Sequence, residues 1–260
     1  MTNSAPATPE QLRRSIAERT WTGPTAGVLD GYQQANLVVV PASAATEFAE
    51  YCRANPSVCP LLASSAPGDP RLTYDGCTVD VRTMVPRYRV WQHGRPAGEP
   101  FDLTPWWRED SVAFALGCSH TLDGPLRRAG IPVAVTAPPV YITGLTTRGT
   151  TRFDGAVAVS MRPVDDDLVD TAIAVTAALP TGHGAPVHVG DPAEIGLADL
   201  TAPDFGVFPG ITANQTPVFW NCGVTPQLAL PEAGLEYAAT HYPGHMLVLD
   251  TVVGAAQTRR

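Results

Sequence analysis

The 260-residue chain contains no lysine: all 17 of its basic side chains are arginine. A Schiff base with a carbonyl substrate or with pyridoxal phosphate needs a lysine amine, so that chemistry is excluded. A Walker A phosphate loop is excluded for the same reason. The five cysteines (Cys52, Cys59, Cys77, Cys118, Cys222) include no CxxC pair, which argues against a structural zinc site built on paired cysteines. No apolar run approaches the length of a membrane span, so no membrane partner is expected. Positive charge is in deficit, 17 basic against 25 acidic residues for a net charge of −8. The arginines are dispersed, so no nucleic-acid partner is expected either. The opening Met-Thr-Asn-Ser-Ala-Pro lacks the charged and apolar regions of a signal peptide. With an odd number of well-separated cysteines, the expectation is a cytoplasmic protein with free thiols.

What is present is ordinary globular material, 44% hydrophobic and 16% charged, enough for one large domain or two smaller ones. Glycine (23) and proline (26) are scattered without a period, which predicts many turns and rigid loops. Thr8-Pro9-Glu10-Gln11 predicts a helix start, with a threonine cap, proline in the first turn and glutamine three residues after the cap. That helix should run to about Arg19. Ala35–Val40 reads as a buried strand and Ser43–Arg53 as a helix. Thr78–Met84 and Tyr88–Gln92 read as strands, Trp106–Leu116 as a helix ending near Gly117, Ile131–Thr136 and Ala156–Met161 as strands, and Asp165–Ala178 as a helix. Pro186–Val189, Pro217–Trp220 and Met246–Thr251 read as short strands. Strands alternating with helices predict an α/β fold. The chain reads as a single unit over residues 1–260, with a smaller β-rich subdomain within about 60–150.

Function in α/β proteins gathers in loops at strand ends. Several polar loops flank the apolar runs: Gly31-Tyr32-Gln33-Gln34-Ala35-Asn36, the stretch Asp80–Arg89, Gly117-Cys118-Ser119-His120, Ser160-Met161-Arg162-Pro163, His183–Pro192, Trp220–Gln227 and Thr240–Met246. The strings GYQQANLVVVP, YCRANPSVCPLL, DVRTMVPRYRV, VAFALGCS, VSMRP, HGAPVHVGDPAEIG, PVFWNCGVTPQ and THYPGHML resemble the D-glutamate cyclase family from about Gly27 to Asp250. The resemblance implies a soluble α/β protein of two intertwined subdomains, mixed sheets with flanking helices, and no cofactor. It also implies a dehydrating, hydro-lyase activity in amino acid metabolism. Cyclisation of D-glutamate to 5-oxo-D-proline is its named example. The chain departs from the family pattern at Tyr141-Ile142-Thr143-Gly144, with Thr147 in place of a cysteine, and after Gly-Cys-Ser, where it has His120, Leu122 and Asp123. If the Tyr141–Thr147 loop shapes the pocket, the substrate differs from D-glutamate.

The candidate catalytic residues are His188, Asp191, Cys118 and Cys222. His188 and Asp191 would form a proton-transfer unit; the plain alternative is that Asp191 caps the helix begun by Pro192. The two cysteines would serve as nucleophiles, or are simply core thiols. The candidate substrate-binding residues are Tyr32, Gln34, Asn36, Arg82, Arg87, Arg162 and His245. Arg82 and Arg162 lie against apolar strands and need an anionic partner, from the protein or from a substrate carboxylate. No metal is expected, although His183, His188, Asp191, His241 and His245 carry ligand chemistry. All these segments should meet in one cleft. The expected partner is a small carboxylate-bearing amino or hydroxy acid, from which water is lost on closing a lactam of the 5-oxoproline type. A non-catalytic amino-acid binder and a metal-dependent lyase or hydrolase are the alternatives, and a homo-oligomer is left open.

Overall fold

The computed structural model describes residues 6–134 and 137–254. Helix α1 (Pro9–Ala17) starts where its signals place it, with Thr8 Oγ1 accepting the Gln11 amide at 3.2 Å. Then follow β1 (Tyr32–Pro41), α2 (Ala42–Ala54), β2 (Leu61–Ser64), β3 (Arg71–Tyr74), β4 (Cys77–Asp80), β5 (Tyr88–Gln92), β6 (Arg95–Gly98) and β7 (Ser111–Gly117). The chain continues through α3 (Asp123–Arg128), β8 (Val140–Thr146), β9 (Ala156–Asp165), α4 (Val169–Ala177), β10 (His188–Val189) and β11 (Gln215–Asn221). It ends with α5 (Thr225–Ala229), β12 (Ala238–His241) and β13 (Leu247–Val252).

The fold is α/β with antiparallel sheets. The first sheet runs β2-β7-β1-β12-β5-β6, with β13 also on β1; the second runs β10-β11-β9-β8; β3 and β4 form a hairpin. The chain builds most of the first sheet, then the whole second sheet, and returns to the first with β12 and β13. Strands from residues 60–150 are shared among all three sheets.

Strand β1 reads as a continuous apolar run because both of its faces are covered. Leu37 and Val39 pack with Leu72, Val79 and Tyr88 on one side. Val38 and Val40 pack with Phe48, Phe114 and Phe153 on the other, where Phe48 meets the other two rings edge-on at 4.9 and 5.1 Å.

Two expected elements are corrected. The helix expected over Trp106–Leu116 is a single 3-10 turn, Thr104–Trp106, followed by β7. Strand β7 pairs with β1 along its whole length, from Ala35↔Gly117 to Pro41↔Ser111. Its alternation is hidden because Ala113 and Ala115 face one core and Val112, Phe114 and Leu116 the other. The strand expected over Ile131–Thr136 is irregular from Ile131 to Ala134, and Val135 and Thr136 lie outside the described residues. Pro132 lacks a ladder donor, and the carbonyls of Val133 and Ala134 are taken by the Arg127 guanidinium at 3.0 and 3.3 Å.

Candidate active site

Between the two sheets lies a cavity of about 450 Å³. The first sheet contributes Asn36, Cys118, His241 and Met246 to its wall, and the second Val140, Ser160, Cys222 and Val224; Ser119 and His120 close one end. The cavity exists because β1 changes partner beside it. On one flank β1 pairs with β12 (Val38↔Thr240) and then with β13 (Ala35↔Leu247). At the junction the His241 ring fills the gap, its Nδ1 3.2 Å from the Leu37 amide. Burial pushes His241 down to about 4, so the ring is neutral. Asn36 donates to the Gly117 carbonyl at 2.5 Å. It packs against Gly223, where a Cβ would fall 1.8 Å from the Asn36 amide nitrogen.

Behind Ser119 and His120 stands a buried ionic network. Asp123 receives the Arg162 guanidinium at 2.6 and 2.8 Å on one oxygen and faces His120 Nδ1 at 3.0 Å on the other. Burial works against the Asp123 charge, but the Arg162 charge and the His120 hydrogen bond outweigh it and hold the carboxyl below its ordinary range. The His120 ring borders the cavity, and its Nε2 has no hydrogen-bond partner among the described residues. A carboxylate on Nδ1 fixes the tautomer that leaves Nε2 as the acceptor. Arg162 also donates to Ser160 Oγ at 3.2 Å, and Ser160 Oγ donates to Ser119 Oγ at 3.1 Å. A guanidinium can only donate. The Ser160 proton has a nearer acceptor in Ser119 Oγ than in the Trp220 carbonyl at 3.5 Å, which directs the hydroxyl chain toward Ser119, whose own proton has no acceptor among the described residues.

The two thiols are unpaired, as are the other three cysteines, and all five are buried. Burial pushes Cys118 up to about 12, against the opposing pull of the His120 amide. Cys222 is likewise raised by burial, opposed by the Val224 amide and Arg162.

The expected site residues divide sharply. Asn36, Cys118 and Cys222 line the cavity. Arg162 stands one layer behind it and holds the protein's own Asp123, stacked 5.4 Å over Trp220. Gln34 is buried on the carbonyls of Thr25 and Val28, bracing the turn that carries Ala26 to the cavity. Tyr32 packs with Leu12 and Ile16, away from it. Arg82 pairs with Asp80, two residues away, at 2.6 Å. Arg87 pairs with Glu99 at 2.8 Å and lies 4.5 Å over Tyr242, and Arg89 lies 4.9 Å over the same ring. They anchor the loop whose Pro243 and Gly244 border the cavity, and His245 Nδ1 bonds back to the Pro243 carbonyl at 2.9 Å. Among the described residues no arginine lines the cavity.

His188 and Asp191 do not join the other segments in one cleft. His188 pairs with Phe219 and stacks on its ring at 5.7 Å. Phe219 belongs to the face of the second sheet that packs Tyr141, Val159 and Met161, opposite the face carrying Ser160 to the cavity. His188 Nε2 reaches the Asp191 backbone carbonyl at 2.7 Å, while the Asp191 carboxylate accepts from the Ala193 amide at 2.9 Å as a helix cap. The Tyr141–Thr147 segment contributes nothing to the cavity wall: Tyr141 turns to the Phe219 face and donates to the Leu200 carbonyl at 2.7 Å. The departure at His120 and Asp123 is the one that reaches the site. His183, His188, Asp191, His241 and His245 do not converge, and among the described residues no three His, Cys, Asp or Glu side chains group as metal ligands.

A family model for D-glutamate cyclase matches residues 112–250, the span that supplies Cys118, His120, Asp123, Ser160, Cys222 and His241. A Bordetella pertussis protein named "Putative hydro-lyase" is 47% identical over 233 residues, covering 88% of this chain and 84% of its own. Relatives of the same name are 44% identical over 249 residues in Burkholderia multivorans (94% and 96% covered) and 43% identical over 247 in Paraburkholderia phytofirmans (94% and 95% covered). The chain belongs to the D-glutamate cyclase family, a hydro-lyase-type family. Among the described residues no helix is long and apolar enough to cross a membrane.

Proposed function

We propose that this chain is an enzyme that closes a small amino dicarboxylate, glutamate or a close analogue, into a lactam with loss of water. The observation that carries this reading is the meeting, in one cavity of about 450 Å³, of an Asp123-held imidazole, a directed hydroxyl and the protonated Cys118 thiol. That volume suits a small ligand.

The chemistry sets three requirements. The α-ammonium must lose a proton before its nitrogen can attack the γ-carboxyl carbon. Charge gathering on the carboxyl oxygen must be stabilised. The departing oxygen must leave as water, because hydroxide leaves poorly. His120 Nε2 is the acceptor for the first. The Ser119 hydroxyl, polarised through Ser160 by Arg162, is the donor for the second. Cys118 answers the third: a thiol held up to about 12 stays protonated and gives its proton to the leaving oxygen. Overall the nitrogen gives up two protons and the leaving oxygen takes two. His120 collects from nitrogen and restores Cys118, so both groups end as they began. The cavity's curved walls hold the chain folded for ring closure.

The test is incubation of the purified protein with D- and L-glutamate and their homologues, read by mass. Loss of one water, falling roughly 100-fold or more in His120→Gln, is the expected result. Tight binding without any mass change would make the chain a binding protein instead.

A further inference from the structure

We infer that the same cavity exchanges the α-hydrogen of a bound α-amino acid, using Cys118 and Cys222 as a pair of opposed acid–base thiols. This inference rests on the reading of the cavity as an amino-acid site, but it adds an activity that lactam closure does not need.

Two matching structural units carry it. Each cysteine follows the last residue of an interior strand, Gly117 of β7 in the first sheet and Asn221 of β11 in the second. Behind each, the amide three residues on closes a turn onto the cysteine carbonyl, Thr121 to Cys118 and Thr225 to Cys222, both at 3.0 Å. In each unit the amide two residues on, His120 or Val224, opposes the upward push of burial on the thiol. A helical segment then leads away from each site. Each sheet thus delivers one thiol to the cavity lining, on equivalent supports.

Lactam closure uses one proton donor and one acceptor near the carboxyl group. It gives no reason for a second buried thiol in the same lining. Inversion at the α-carbon does, because a single group can return a proton only to the face it came from. The step balances without a cofactor. His120 Nε2 takes the Cys118 proton. The thiolate removes the α-hydrogen, breaking the C–H bond, and the electron pair is held as the carboxylate's enolate against the Ser119 hydroxyl. Cys222 delivers its proton to the opposite face and is left as the thiolate; the proton held on His120 then passes to it through solvent, so all three groups end as they began. Apolar burial makes each thiolate a strong base once formed, which suits a weak carbon acid.

The experiment follows D-glutamate and L-glutamate separately in D2O by proton NMR, with lactam read in the same tubes. Expected is loss of the α-proton signal, with appearance of the deuterated opposite enantiomer at a rate above the protein-free blank. Cys118→Ala and Cys222→Ala should each lower inversion roughly 100-fold or more, with thermal melts showing that both variants fold. The conservative Cys222→Ser repeats the measurement should alanine fail to fold. Absence of α-deuterium from both enantiomers overturns the inference, as does inversion that survives in both single variants. Lactam without exchange overturns only the exchange. Exchange without lactam upholds it and overturns the cyclisation. Neither product overturns both.

Discussion

Replacing Asp123 by asparagine removes the charge on which the site is built. The Asp123 side chain is 2% exposed and that of Arg162 3%. An amide keeps the shape but not the charge, so Arg162 is left buried without a counter-ion. Removing one partner of a buried ion pair costs about 3–5 kcal/mol. At about 2–4 °C per kcal/mol for a chain of this size, Tm should fall by roughly 6–20 °C. Removing both charges, in Asp123→Leu with Arg162→Met, should cost less than the single change, because most of the loss is the stranded charge. The Asp123 carboxyl is held below its ordinary value. Its contribution is therefore present above the unfolded value near ~3.9 and is lost as pH falls through the folded one. Turnover carries a second signature. Without the carboxylate on Nδ1, His120 no longer has a fixed tautomer, and activity should fall roughly 100-fold or more at temperatures where the variant is folded. The assays are thermal melting and water loss by mass. A single variant melting within about 2 °C of the parent, or a double variant less stable than the single, would refute the reasoning.

Four further outcomes are expected. His183 and His241 are both pushed down to about 4 by burial; the unfolded chain takes up their protons first as pH falls. Stability should therefore drop between pH ~6.5 and ~4, by up to about 3 kcal/mol for each histidine, and chemical denaturation across that window checks it. Gly223→Ala drives a methyl group into Asn36 and should destabilise by about 1–3 kcal/mol and abolish ligand-induced stabilisation; an unchanged melt with full binding would contradict the contact. Native Cys118 should alkylate slowly at pH 7, its thiolate being on the order of one part in 10⁵, whereas all five cysteines should react in denaturant without reductant. Asp191→Ala should lower stability by ~1 kcal/mol through the lost cap on the Ala193 amide with turnover unchanged; a collapse of turnover would return the residue to the chemistry.

Seven of the thirteen strands were legible in the sequence, and the charged part of the site was not. Strands β1 and β5 announce themselves through compact apolar runs, and α1 through its cap. Strand β7 hides, because a strand covered on both faces has no alternation to show. Asn36, Cys118 and Cys222 could be found since each is a polar or nucleophilic residue bordering an apolar run. The arginines misled because a guanidinium's partner is a three-dimensional fact. Arg82 finds Asp80 two residues away, while Arg162 finds Asp123 across 39 positions. His120 and Asp123 were visible only as a departure from the family pattern, although their i, i+3 spacing on a turn after Gly-Cys-Ser was a usable signal.

Where the arginine ended up bears on the proposed reaction. A guanidinium inside the cavity would bind a carboxylate tightly as the anion, the form least open to attack by an amine. Stabilising the ground state and the transition state equally does nothing for turnover. Arg162 instead acts through Ser160 on the Ser119 hydroxyl, which strengthens a neutral donor without placing a full positive charge on the substrate. The remaining wall is neutral as well: His241 is held uncharged and Cys118 protonated. In such surroundings a carboxylate loses more from leaving water than does the more dispersed charge of a tetrahedral intermediate held by aligned donors. An arginine brought into the cavity, as in Val140→Arg, should on this reasoning tighten glutamate binding while lowering kcat. Tighter binding with kcat unchanged would show that the neutrality of the wall plays no part in the reaction.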